Sequence, residues 1–239
     1  MDVLAEQIVL ITGASRGIGA AVARRLAGPG TRLVLTGRDQ GRLQCLADQV
    51  IAAGGRADAI ACDLRDPSQI AALAKQVLDQ HGRCDVLINN AGLGWFGGPL
   101  HTMPPEEWDR ILETNLRAPY LLVRAFAPAM IAAGHGHIIN ISSLAGKNPV
   151  PNAAAYAASK WGLHGLMYSV AEELRQHKIR VSLIAPGTTR TEFGDGHSAK
   201  KSPLGALAAE DVAHVVQMLL TQSDASFISE VLLRPMLKS

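Results

Sequence analysis

A chain of 239 residues, 48% of them hydrophobic, can bury one substantial core and is too apolar to be disordered. Its 23 basic and 21 acidic side chains leave a formal charge of +2, interspersed rather than gathered in a basic block, which argues against a nucleic-acid role. Aromatic residues make up only 4%, so the core is expected to consist mainly of Ala, Leu, Ile and Val.

In chain order, QIVLIT (7–12) reads as a first strand, followed by a glycine-rich turn and a helix over 17–26 that Gly28, Pro29 and Gly30 end. RLVLT (32–36) is a second strand. Asp39 can cap a helix running to about Ala53, stopped by Gly54 and Gly55. ADAIAC (57–62) is a third strand, Pro67 suits the first turn of a helix ending near Gly82, and CDVLIN (84–89) is a fourth strand. Pro105 opens a long helical region to about Ala133, with bends expected near Pro119 and Pro128. HIINIS (137–142) is a fifth strand, and a helix follows from near Tyr156 to about His177. IRVSLI (179–184), a helix over 210–220 and a short strand EVLLR (230–234) complete the pattern.

Alternating strands and helices imply a parallel sheet covered on both faces, and right-handed crossovers make it one doubly wound α/β domain. The most apolar long stretch, 120–133, is broken by Arg124 and Pro128 and is too short to span a bilayer. Residues 1–7 carry Asp2 and Glu6 and run straight into a strand, so no signal peptide is expected. Cys45, Cys62 and Cys84 are odd in number and far apart, and the histidines show no ligand pattern. A cytoplasmic protein without a structural metal is the expectation.

TGASRGIG (12–19) lies between the first strand and the first helix. Gly13, Gly17 and Gly19 allow a tight turn that brings backbone N–H groups to a diphosphate, at a helix N-terminus that favours negative charge. The spacing departs from G-x-G-x-x-G. The second strand ends Thr36-Gly37-Arg38, where an NAD site would place an acid. Arg38, with Arg16 in the glycine turn, suits a 2′-phosphate, so NADP(H) is favoured over NAD(H). Asp39, one residue on, is the rival, able either to meet a ribose or to cap the helix.

The fifth strand delivers Ser142 and Ser143 to its carboxyl end, where ligands sit in open α/β sheets. Tyr156 and Lys160 are spaced to share one helix face. A tyrosine hydroxyl has a resting pKa of about 10. A fixed ammonium beside it is expected to lower that value, giving a proton donor and acceptor with a serine ready to hold a carbonyl oxygen.

Taken together, TGASRGIG, Asp63 after the third strand, NNAG (89–92), Asn115, Ser143, YAASK (156–160) and PGTTRT (186–191) closely resemble the short-chain dehydrogenase/reductase family, and the resemblance covers nearly the whole chain. It implies a Rossmann-type, seven-stranded sheet and a catalytic set of Ser143, Tyr156, Lys160 and Asn115. Tyr156 would exchange a proton with the carbonyl or alcohol oxygen, Ser143 would hold that oxygen, and Ser142 would be structural. Lys160 would lower the Tyr156 pKa and bind the nicotinamide ribose. Asn115 would hold a water linking Lys160 to solvent, although an Asn here could simply mark a kink. Implied cofactor contacts are Gly13, Ser15, Arg16, Gly17, Ile18, Gly19, Arg38, Asp63 and Leu64 near the adenosine and phosphates. Asn89 would meet the adenosine end, Asn90, Ala91 and Gly92 would keep the protein backbone close to the cofactor, and Tyr156, Lys160, Pro186, Gly187, Thr188 and Thr191 would meet the nicotinamide end. Loop threonines also serve as turn or cap formers.

Two departures stand out. Many members end in an Asp-Gly-Gly segment, whereas this chain reads EVLLRPMLKS. The substrate lid, expected at about 188–205, is short and polar over 194–202, with Phe193 as its aromatic residue. Trp95, Phe96, Leu144, Val150 and Phe193 suggest a small apolar carbonyl or alcohol substrate, although Trp95 and Phe96 could equally pack beneath their loop. Reduction of a 3-oxoacyl group on acyl carrier protein is the second reading, supported only by a thin basic surface at Gly134-His135 and His177-Lys178. A non-catalytic NADP(H)-binding regulator or scaffold is a third. The apolar circumference of the Tyr156 helix needs cover on both sides, and the family resemblance implies that it and the 105–133 region pair across a homodimer or within a homotetramer.

Overall fold

The computed structural model describes residues 6–193, 205–223 and 225–237. Strand β1 (Ile8–Thr12) is buried at every position, as a strand covered on both faces must be. Its side chains alternate between two cores. Val9 and Ile11 join the cluster formed with helices α1 (Gly17–Leu26), α2 (Gln40–Ala52) and α7 (Ala209–Leu220). Ile8 and Leu10 join the opposite cluster, with α3 (Pro67–His81), α5 (Ala118–Ala133) and α6 (Ala154–Arg175).

The other strands are β2 (Arg32–Gly37), β3 (Arg56–Ala61), β4 (Val86–Asn89), β5 (Gly136–Ile141), β6 (Ile179–Pro186) and β7 (Glu230–Leu233). All pair in parallel in the order β3-β2-β1-β4-β5-β6-β7. The order reverses direction between β1 and β4, which opens a crevice at their carboxyl ends where ligands of this architecture bind. The expected doubly wound, seven-stranded parallel sheet is therefore present, with each boundary displaced by no more than a few residues.

The long helical region breaks elsewhere than expected. Helix α4 (Pro105–Leu112) passes through a π turn over Glu113–Arg117 before α5 begins. Pro119 closely follows this π turn and Pro128 lies within α5, so the irregularity falls around Asn115, just ahead of Pro119. The whole run Pro105–Ala133 is long and apolar enough to cross a membrane by length and composition. Leu122, Phe126 and Met130 are instead buried in the core shared with α3, making this a core helix.

Asp39 resolves its two readings in favour of capping. Its carboxylate accepts from the Arg42 backbone N–H at 3.0 Å and starts α2. The C-terminal tail returns toward the crevice. A Cβ on Gly187 would lie 2.8 Å from Pro235, so a side chain at 187 would collide with that tail.

Candidate active site

The crevice is a cleft of about 540 Å³, a size typical of small-molecule sites. The first βα turn forms one end. Gly13 and Gly17 have φ of +61° and +56°, a left-handed backbone that side chains disfavour. A Cβ on Gly13 would also lie 2.8 Å from the Ala91 backbone. Asn90 locks the turn from β4, donating through Nδ2 to the Thr12 and Gly13 carbonyls at 2.8 and 3.1 Å. Gly13, Ser15, Arg16, Gly17, Ile18, Arg38, Asp63 and Leu64 line this end, and Ala91 and Gly92 continue the wall.

Two residues expected here do something else. Gly19 is absent from the wall: a Cβ there would sit 2.5 Å from the Gly13 carbonyl oxygen, so it serves to pack helix against turn. Asn89 is buried inside the sheet, its amide donating to Asn140 Oδ1 at 2.9 Å, so its side chain does not reach the cleft. Arg65, not singled out from sequence, lines the cleft and forks onto Asp63, with Nη2 at 2.6 Å and Nε at 3.1 Å. That contact holds the Asp63 carboxyl below its ordinary pKa.

The other end collects the chemical groups. Ser143 follows β5, and its Oγ accepts from the Ala145 N–H at 3.1 Å. Its hydroxyl also hydrogen-bonds Tyr156, which rises from the first turn of α6. Lys160, one turn along, is buried and donates from Nζ to the Ile141 carbonyl at 3.0 Å. The same Nζ lies 5.8 Å from the centre of the Tyr156 ring. Ser142 also borders the cleft, but its hydroxyl pairs with His164 Nε2 at 2.7 Å; Glu230 Oε1 lies 3.3 Å from the other ring nitrogen.

The electrostatics differ from the expectation that the ammonium acidifies the phenol. Burial raises the Tyr156 pKa above its ordinary value, and the Ser143 hydrogen bond offsets only part of that. Burial likewise lowers Lys160 to about 8. Both shifts have one cause, the withdrawal of water from whichever form carries charge. At neutral pH this site therefore holds a neutral phenol, beside an ammonium that still keeps most of its protons.

Asn115 was expected to hold a water for Lys160. Both amide hydrogens of its side chain are already committed, to Leu93 O at 2.8 Å and Ser159 Oγ at 3.0 Å, while its oxygen accepts from Leu93 N at 2.7 Å. Asn115 thus holds the wall at Leu93 from behind, beside Gly92, and is not part of the cleft lining.

Pro186, Gly187, Thr188 and Thr191 also line the cleft, Thr191 standing against Gly17 of the glycine turn, and Phe96, Leu144, Val150 and Phe193 add an apolar border. The rings of Phe96 and Phe193 stand 6.0 and 5.7 Å from that of Tyr156. Trp95 does not line the cleft; it packs under its own loop, against Gly97. Residues 194–204 of the expected lid lie outside the described residues.

Residues 7–202 match the family model for short chain dehydrogenases. A cyclohexanol dehydrogenase from Acinetobacter sp. (strain SE19) is 33% identical over 229 residues, covering 94% of this chain and 91% of that one. A protein assigned as a ketoacyl reductase of the granaticin polyketide synthase of Streptomyces violaceoruber is 37% identical over 193 residues, 80% of this chain and 71% of that one. The crystal structure of a metagenomic short-chain oxidoreductase in complex with NADP is 60% identical, covers 99% of this chain and all of that chain (100%), and superposes with a TM-score of 0.88.

Proposed function

This chain belongs to the short-chain dehydrogenase family, and from that premise we propose that it is an NADP(H)-dependent oxidoreductase interconverting a ketone or aldehyde and the corresponding alcohol. The observation that carries the reading is the meeting of Ser143, Tyr156 and Lys160 in one cleft with the glycine turn. A dinucleotide and a proton-transfer group then share a single compartment.

The residues present fit such a cofactor. The left-handed turn at Gly13 and Gly17 exposes backbone at the start of α1, and Arg16 and Arg38 line that end. The acid after β2, Asp39, is turned onto the N-terminus of α2 and beside Arg42, which favours Arg38 as the residue that meets a 2′-phosphate. The NADP bound in the metagenomic relative agrees with this preference. When bound, the nicotinamide supplies or accepts the hydride at the substrate carbon.

The protein's own part is alignment and proton movement. Ser143 Oγ holds the substrate oxygen beside the Tyr156 hydroxyl. Because that phenol is kept neutral, it enters as a proton donor, which suits carbonyl reduction near neutral pH. The Ser143 hydrogen bond, the influence that favours the ionised phenol, supports the phenolate left behind. The Lys160 ammonium has three donors and Ile141 takes one, so donors remain for a ribose hydroxyl. The apolar border of Phe96, Leu144, Val150 and Phe193 selects a small apolar carbonyl or alcohol, in keeping with the cyclohexanol dehydrogenase relative.

Reduction of a 3-oxoacyl group on acyl carrier protein is the second reading, favoured by the polyketide-synthase relative. It ranks lower because His135, half of the thin basic surface, is already paired with Asp85 at 3.1 Å. A homodimer or homotetramer is part of the proposal: Trp161 on α6 is 52% exposed and Tyr120 on α5 48%, apolar surface that a second copy would cover. Free cysteines at 45, 62 and 84 agree with a cytoplasmic location.

A panel of cyclic and linear ketones, aldehydes and a 3-oxoacyl carrier thioester, run with NADPH on wild type and Tyr156→Phe, tests these readings. Turnover lost in Tyr156→Phe with NADPH affinity kept within about twofold is the expected result. No Tyr156-dependent turnover on any substrate would leave the cofactor-binding regulator as the better account.

A further inference from the structure

Glu192 sits between two arginines that come from distant parts of the chain. Its Oε2 accepts from Arg16 Nη1 and from Arg42 Nη1, each at 3.1 Å. Arg16 belongs to the glycine turn, Arg42 to the first turn of α2, and Glu192 to the segment after β6. All three side chains are about half exposed, and Arg16, Arg38 and Glu192 line the same end of the cleft. Asp39 lies 3.5 Å from Arg42 Nε but is held at the cap of α2. Two guanidinium forks converging where the glycine turn meets α2 make a corner suited to a multivalent oxyanion. Here a carboxylate of the protein itself fills that corner.

We infer that Glu192 is an internal anion that occupies the place of a ribose 2′-phosphate and yields Arg16 and Arg42 to it, so that this side chain sets how strongly the protein distinguishes NADP(H) from NAD(H). The inference rests on the NADP(H) reading above and names a residue that tunes it. Exposed ion pairs are individually weak, which a replaceable partner requires. A phosphate monoester carries nearly two charges and three acceptor oxygens, and so outcompetes one carboxylate for two forks. A dinucleotide with a plain 2′-hydroxyl offers the arginines nothing comparable and leaves Glu192 where it is. Glu192 thereby taxes the binding of the phosphorylated cofactor and leaves the other unaffected.

Titration calorimetry of the full chain separates the possibilities, using 2′,5′-ADP, 5′-AMP, NADPH and NADH as probes on wild type, Glu192→Gln and the double variant Glu192→Gln/Arg42→Ala. Gln keeps the length of the side chain and removes its charge. Glu192→Gln should tighten 2′,5′-ADP and NADPH about three- to tenfold, and change 5′-AMP and NADH by less than about twofold. The double variant should lose most of that gain. An equal change for all four probes, or none, overturns the inference while leaving NADP(H) preference intact. Should wild type bind NADH at least as tightly as NADPH, the NADP(H) reading falls. The role of Glu192 then survives only if Glu192→Gln still gains selectively for 2′,5′-ADP; otherwise it falls too.

Discussion

Asn115 and Leu93 exchange two hydrogen bonds, Leu93 N to Asn115 Oδ1 at 2.7 Å and Asn115 Nδ2 to Leu93 O at 2.8 Å. This is the pairing a neighbouring strand would give Leu93, supplied instead by one side chain from a π turn. It ties the loop after β4, which forms the cleft wall through Ala91 and Gly92, to the helical layer that carries Ser159 and Lys160.

Replacing Asn115 with Ala should therefore strip partners from both Leu93 backbone groups and from Ser159. Two or three unsatisfied polar groups cost about 2–4 kcal/mol, which for a domain of this size lowers Tm by roughly 5–10 °C. Thermal melting checks this. The KM for cofactor should rise with the loosened wall, and a variant melting like wild type would contradict the clamp.

Ser143→Ala should raise the Tyr156 pKa further, because the hydrogen bond it removes is the one influence lowering that pKa against burial. The alkaline limb of the pH–rate profile should move to higher pH, with kcat down about a hundredfold or more. Initial rates between pH 6 and 10 measure both. A limb moving to lower pH would show that Ser143 does not support the phenolate.

Lys160→Met should abolish turnover yet stabilise the fold near pH 7. Folding lowers the Lys160 pKa from 10.5 to about 8, so the unfolded chain binds the proton more tightly. Wild-type stability from this group is present above about 10.5 and is lost as pH falls through about 8. At pH 7 the variant, spared a buried charge, should gain about 1–2 kcal/mol, or roughly 2–8 °C in Tm. Melting curves at pH 7 and 9.5 should show that gap closing as pH rises.

His137 is buried and neutral, with Nε2 2.9 Å from Ser182 Oγ, and burial lowers its pKa to about 3. Its contribution to stability is fully present above about 6.5 and is lost as pH falls toward 3, because only the unfolded chain takes up the proton in that window. Between pH 7 and 4.5 wild type should lose about 2–3 kcal/mol that His137→Gln does not. Urea midpoints at the two pH values read the difference.

The sequence by itself determined the alternation of strands and helices, the glycine turn, and the Tyr156–Lys160 pair on one helix face. Each is written in residues near one another in the chain, through periodicity, capping and the steric allowance of glycine, as at Asp39 and Gly13. The tertiary structure alone decided what environment those groups occupy. It placed Asn89 inside the sheet, brought Arg65 to the cleft, and turned the expected acidified tyrosine into a neutral phenol. Glu192 and Arg16 show the reason most directly, being 176 residues apart and yet in contact. Desolvation and ion pairing depend on which distant atoms exclude water or share a corner, and no local pattern records that.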